Sequence, residues 1–215
     1  MGRPAGSRNP DFEATREQLA RAALARLMEP GGAGASLREL AAAAGVSVAT
    51  MRHYFGGREG VVAAALARAH GDGLRYLVEV ATGPLEPLPR SLGWLLAQVI
   101  EGFRRGPLSR LHALGLAAGL GDAALGPAYV NELLEPTLKA AEARLARHVA
   151  DGELAPCDLR HAALALLGPL LLALLHQGPL GGRVCRPLDL DAFAATHLDA
   201  FLRAFSAKVP PAPQT

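Results

Sequence analysis

The chain has 215 residues, half of them hydrophobic but only 5 % aromatic, so Ala and Leu carry the apolar content. Both are strong helix formers and β-branched residues are scarce, which predicts an all-α protein with an ample core and argues against a sheet protein. The net charge of +2 is uninformative, but residues 1–70 hold nine Arg and no Lys against six carboxylates while the remainder holds 13 basic and 14 acidic residues, a basic head on a near-neutral body that suits a polyanion-binding module joined to a neutral partner domain.

Residues 1–10, rich in Gly, Pro and Arg, predict a disordered arm in which Arg3 and Arg8 drift over a polyanion without ordering. From Asp11 onward Leu19, Ala23 and Leu27 recur at helical spacing, with Arg16, Arg21 and Arg26 on the solvated flank, until the Pro30–Gly34 stretch ends the helix. Ser36 with Glu39 three residues on forms a capping box ahead of an apolar face of Leu37, Leu40, Ala41 and Ala44. Gly45 stops that helix where a positive φ is wanted, Ser47 caps a third helix through Phe55, and Gly56-Gly57 breaks the chain before a longer helix over 58–81. Helical patterns follow at about 90–105, 107–118, 123–150, 157–177 and 189–207, separated by Gly- and Pro-rich breaks, with Pro136 and Pro169 inside patterns that they should kink. Residues 208–215 read as a disordered tail. The expected division is 1–10 arm, 11–57 helix-turn-helix domain, 58–207 helical regulatory domain and 208–215 tail.

The segment Ser36–Phe55, SLRELAAAAGVSVATMRHYF, has the short helix, Gly-containing turn and second short helix of a DNA-binding helix-turn-helix. Ala41 and Ala44 are small where the helices cross, Val46 plugs the turn, and Met51 and Phe55 bury the inner face of the third helix. The opposite face presents Val48, Ala49, Arg52 and His53. Arg52 can pair bidentately with guanine O6 and N7, Val48, Ala49 and the Thr50 methyl can touch thymine methyls, and Thr50, His53 and Tyr54 offer hydrogen bonds, although Tyr54 also reads as partly core.

The stretch Thr15–Leu66 resembles the DNA-binding domain of the TetR family, carried by Leu19, Ala22-Ala23, Ser36, Leu40-Ala41, Ala44-Gly45-Val46-Ser47, Thr50, Met51, Tyr54-Phe55 and Arg58-Glu59. The resemblance implies DNA contacts at Arg38, Val48, Ala49, Thr50, Arg52, His53, Tyr54 and Arg58. Three positions depart from the family pattern: Ala49 replaces a Gly or Pro, Arg52 a Tyr, and Arg58, after Gly56-Gly57, a Lys. The second departure alters the expected operator preference and leaves the fold expectation intact.

The same resemblance implies a homodimer built from the last two long helices, with Leu171, Leu174, Leu175, Phe193, His197 and Phe201 as interface candidates. The run between His161 and His176 is apolar on all sides, more than one packed face requires. A small-molecule pocket is expected among the helices at 90–150 and the start of the 157–177 helix, with Trp94, Phe103, Leu111, His112, Tyr129, Leu133, Leu170 and His176 as lining candidates beside Ile100 and Leu114. The function that follows is a repressor that binds a palindromic operator on double-stranded DNA and is released by a small apolar effector. The rival readings are a sequestering helical protein with a relic DNA head, and an all-α enzyme, which would need a buried acid–base pair.

No such pair, phosphate loop or paired carboxylate stands out, so no catalytic residue and no cofactor is expected. Cys157 and Cys185 lack zinc-ligand spacing and the scattered His residues have no metal-binding partner at helical spacing, so no metal site is expected. Cys157 after Pro156 falls at an expected helix start, where a thiolate would be stabilised. The longest apolar run, Ala162–Leu175, has 14 residues. A membrane-spanning helix needs about 20, so a cytoplasmic protein with no membrane partner is expected.

Overall fold

The computed structural model describes residues 10–207. Residues 1–9 of the expected arm, with Arg3 and Arg8, and the expected tail from 208 lie outside the described residues, while Pro10 opens the first helix. The elements are α1 (Pro10–Leu27), a 3-10 turn (Gly32–Gly34), α2 (Leu37–Ala43), α3 (Val48–Phe55), α4 (Arg58–Thr82), α5 (Leu88–Arg104), α6 (Leu108–Gly121), α7 (Gly126–Tyr129), a π-helical turn (Val130–Leu134), α8 (Glu135–Ala150), α9 (Leu159–Gln177), α10 (Gly182–Cys185) and α11 (Leu190–Phe205). The all-helical architecture read from the composition is what the chain adopts. The only extended pairing among the described residues is an isolated bridge between Leu154 and Ser206, which ties the α8–α9 connection to the end of α11.

Two compact units divide the described residues: 10–73 with 111–133, and 74–110 with 134–207. The first therefore extends past residue 57, because Val61, Val62, Ala65 and Leu66 at the start of α4 are fully buried. Its core is completed by Leu19, Ala23 and Leu27 of α1, Leu40 and Ala41 of α2, and Met51 of α3. Farther along the chain, the same unit holds Leu111, Leu114, Leu125, Tyr129 and Leu133 as buried residues.

Pro136 lies inside an unbroken helical run over residues 126–150, as expected, and the π-helical turn Val130–Leu134 directly precedes it. Pro has no N–H to offer the carbonyl four residues back, that of Glu132, and His70 Nδ1 donates to this oxygen at 3.1 Å instead.

The second unit packs α5, α8, α9 and α11 around Leu92, Leu95, Leu96, Ala141, Leu145, Leu166 and Leu170. Helix α9 is long and apolar enough to cross a membrane by length and composition, beyond what the 14-residue run suggested. Here it is a core helix: Ala162, Ala163, Leu166, Leu167, Leu170, Ala173 and Leu174 are buried along it. Pro169 lies within α9 and has no N–H to offer the Ala165 carbonyl; the neighbouring Leu166 carbonyl accepts from His197 Nε2 of α11 at 2.8 Å. The short α10 falls inside the Gly178–Pro187 stretch expected to be a break. Gln177 holds that connection by donating through Nε2 to the Arg186 carbonyl at 2.9 Å and accepting at Oε1 from Leu188 N–H at 3.0 Å.

Candidate nucleic-acid interface

The helix-turn-helix is assembled by local hydrogen bonds that its residue types dictate. Ser36 Oγ accepts from Glu39 N–H, and the Glu39 carboxylate accepts from Ser36 N–H at 2.8 Å, the reciprocal box expected from the sequence. These bonds from Ser36, with Arg26 nearby, hold the Glu39 carboxyl below its usual range. At the other end of α2, Val46 N–H reaches back to Ala41 O at 3.0 Å and Gly45 N–H to Ala42 O at 3.1 Å, the paired bonds of a Schellman stop, with Gly45 at φ 69°. Ser47 then caps α3 by accepting from Thr50 N–H at 3.0 Å.

These constraints set the rotation of α3. Met51 is fully buried, so Ala49, Arg52 and His53 are exposed and Val48, Thr50 and Tyr54 half-buried. Arg52 has no hydrogen bond or ion pair among the described residues, and neither has Arg38, which is exposed on α2. The Thr50 hydroxyl shares a hydrogen bond with Ser47 Oγ at 2.9 Å, which turns it toward the cap. Tyr54 is stacked on Phe12 of α1 at 4.6 Å, and His53 meets the same ring edge-on at 5.8 Å. Phe12 as the wall behind both residues was invisible in the motif. Phe55 is roofed by Arg16, whose guanidinium lies 5.3 Å from the ring centre, so Arg16 is more than solvated flank. Arg26 is likewise engaged, at 3.4 Å from Glu29 and 3.3 Å from Glu39, whereas Arg21 reaches Glu17 only at 3.9 Å.

Arg58 departs from expectation. Its Nε donates to Ala35 O at 2.8 Å and its Nη2 to Ala33 O at 2.6 Å. The side chain braces the α1–α2 connection, whose carbonyls have no helical partner, instead of standing free for phosphate.

The eight expected pocket residues fall four to each unit. Leu111, His112, Tyr129 and Leu133 belong to the first, and Trp94, Phe103, Leu170 and His176 to the second. His112 Nδ1 and Tyr129 Oη share a hydrogen bond at 2.8 Å; burial pushes the imidazole down to about 4 and the phenol up to about 12, so both are neutral near pH 7. Gly115 lies directly under the Tyr129 ring, where a Cβ would overlap it. Phe103 and Leu170 are packed core, and His176 Nδ1 accepts from Gln177 Nε2 at 2.8 Å.

The second unit also contains a buried polar cluster that sequence reasoning missed. His148 is fully buried, donates through Nδ1 to Glu153 Oε2 at 2.7 Å, and shares a hydrogen through Nε2 with Ser91 Oγ at 2.8 Å. Arg144 Nε donates to the same Ser91 oxygen at 2.7 Å. The sequence showed no nucleophile–base pair, and here a serine and a histidine meet in the core. The order Ser91–His148–Glu153 is that of a nucleophile, base and orienting carboxylate. Ser91 is itself fully buried and its oxygen is already engaged by Arg144, so the cluster fixes α5 against α8 and the start of the α8–α9 connection. The signal lay only in polar residues on otherwise apolar helix faces.

Among the interface candidates, Leu174 and Phe201 are core residues of the subunit itself. Leu171, Leu175, Phe193 and His197 are half-buried, the last two stacked at 6.0 Å. The exposed apolar positions of α9 are Leu164 and Leu172. Cys157 precedes the α9 cap, Asp158, and lies outside the helix; burial and that carboxylate push its thiol up, opposite to the expected thiolate stabilisation. Among the described residues no group of three His, Cys, Asp or Glu side chains is placed to hold a metal ion.

Residues 19–65, the capped helices just described with the start of α4, match the model of the bacterial regulatory proteins of the tetR family. The chain thus carries a tetR-family segment at residues 19–65. Its fold agrees over nearly the whole length: a TetR-family transcriptional regulator from Mesorhizobium loti superposes with a TM-score of 0.74 at 20 % identity, covering 93 % of this chain and all of the other. SmeT, the repressor of the Stenotrophomonas maltophilia multidrug efflux pump SmeDEF, superposes with a TM-score of 0.63 at 24 % identity over 95 % and 98 % of the two chains. The transcriptional regulator FadR from Bacillus subtilis, in complex with stearoyl-CoA, gives 0.65 at 19 % identity over 86 % and 96 %. No curated protein sequence matches the chain.

Proposed function

We propose that the chain is a ligand-responsive transcriptional repressor that binds a palindromic operator as a homodimer and is released by a small, largely apolar effector. The observation that carries this reading is the α3 face: Ala49, Arg52 and His53 project from a helix whose phase is locked by buried Met51 and whose start is capped by Ser47. Arg52 reads guanine, and Ala49 with Val48 meets thymine methyls. Arg38 serves as a phosphate contact, with Thr50, His53 and Tyr54 around it. Arg58 orders the connection behind them.

The exposed Leu164 and Leu172 of α9, 46 % and 66 % accessible and two turns apart, favour a second copy packed there, flanked by the half-buried Leu171, Leu175, Phe193 and His197. Two heads related by such an axis read half-sites about 34 Å apart, and a ligand that changes their separation removes the benefit of simultaneous engagement. Effector control is supported by the related folds, since SmeT has been captured with triclosan and FadR with stearoyl-CoA. The reading is of a cytoplasmic DNA-binding protein without catalytic activity. Titration of labelled duplexes carrying the promoter of the protein's own operon tests it. Binding should weaken steeply with salt and protect a two-fold symmetric site. Failure to bind that promoter at low salt by protein that still takes up small ligands would favour the sequestering reading.

A further inference from the structure

A cavity of about 210 Å³ in the second unit is lined by Glu79, Gly83, Pro84, Glu86, Ser91, Trp94 and Arg144. Its deepest charged group is Arg144, which is only 3 % exposed yet forms no ion pair among the described residues. Three of its five N–H groups are used, all on neutral oxygens: Ser91 Oγ, Val80 O at 2.9 Å and Pro84 O at 3.1 Å. One N–H on each terminal nitrogen is left over. The guanidinium also lies over the Trp94 ring at 4.9 Å. A second donor, the Tyr76 hydroxyl one turn before Val80, is buried with no hydrogen-bond partner among the described residues and lies within electrostatic reach of Arg144.

Bracing the end of α4 does not by itself explain this arrangement. Arg147 already donates to Ala81 O and Gly83 O there from a half-buried position, and a desolvated guanidinium without a counter-charge is unfavourable. A planar cation with two N–H donors to spare, backed by an aromatic ring, suits a carboxylate. The exposed Glu79 and Glu86 disfavour a ligand carrying more than one negative charge.

We propose that this cavity binds a small organic monocarboxylate, with the carboxylate on the free N–H groups of Arg144 and the apolar body along Trp94. The site deepens the effector reading above by naming a ligand class, and it can be examined without DNA.

Trp94 is the only tryptophan of the chain, so its fluorescence reports the site directly. Benzoate is the probe and benzamide its neutral isostere. Full-length protein should show a saturable emission change with benzoate, with a dissociation constant of about 1 mM or tighter, and at least about tenfold weaker binding of benzamide. Arg144→Met should abolish the benzoate response. Because that variant also loses the brace, Glu86→Gln provides the second arm: it lies on the exposed rim, and it should tighten benzoate about twofold or more while leaving benzamide unchanged. A linear, non-saturating benzoate response, or benzamide binding as well as benzoate, overturns the site. Protein that takes up benzoate but binds no DNA sustains the site and sinks the repressor reading; protein that binds its operator while ignoring benzoate does the reverse.

Discussion

Replacing Arg58 with Ala separates a brace from a DNA contact. The side chain makes two charge-assisted hydrogen bonds to the backbone of residues 33–35, at 2.8 and 2.6 Å, from a half-buried position. Each such bond is worth about 1.5–3 kcal/mol when its partner is left unpaired, and water can replace part of the loss at this depth, so the variant should lose about 2 kcal/mol. In a protein of this size that lowers the melting temperature by about 4–8 °C. Arg58→Lys should recover little of it, because an ammonium cannot span two carbonyls as the planar fork does. Arg52→Ala, by contrast, removes an exposed side chain without partners among the described residues and should melt within about 1 °C of the parent. Thermal denaturation followed by circular dichroism reads both. An unchanged melting temperature in Arg58→Ala, with DNA affinity reduced evenly over all sequences and a shallower salt dependence, would refute the brace.

Gly45→Ala forces a Cβ into φ 69° and should cost about 1–2 kcal/mol in a urea titration, although the space around it is open. His112 is held down to about 4 from 6.5 by burial, so the folded state is the poorer proton acceptor between these values. Stability should be level above about pH 6.5 and fall by up to about 3 kcal/mol as pH drops toward 4, a slope that His112→Phe should remove. Leu172→Glu, at an exposed position of α9, should shift the sedimentation profile from dimer to monomer without lowering helicity; an unchanged profile removes α9 from the interface.

The helix-turn-helix was legible because its determinants are local. Ser36 with Glu39, Gly45 and Ser47 each act within five residues, and the phase of Met51 followed from them. What the sequence concealed depends on partners far apart. Arg58 reaches back 23 and 25 positions to its carbonyls, and Ser91 meets His148 across 57. No periodicity carries those pairings. Leu174 and Phe201 were assigned to an interface because apolarity alone does not say whether a residue faces its own core or a partner. The pocket candidates divided between two units for the same reason.

Selection of random duplexes by the purified protein, compared with Arg52→Ala, tests most directly whether the outward side of α3 reads DNA. The wild type should enrich a two-fold symmetric sequence with an invariant guanine in each half, and the variant should keep the symmetry and lose the guanine. Enrichment of the same guanine by both proteins, or of no sequence by either, would contradict the account.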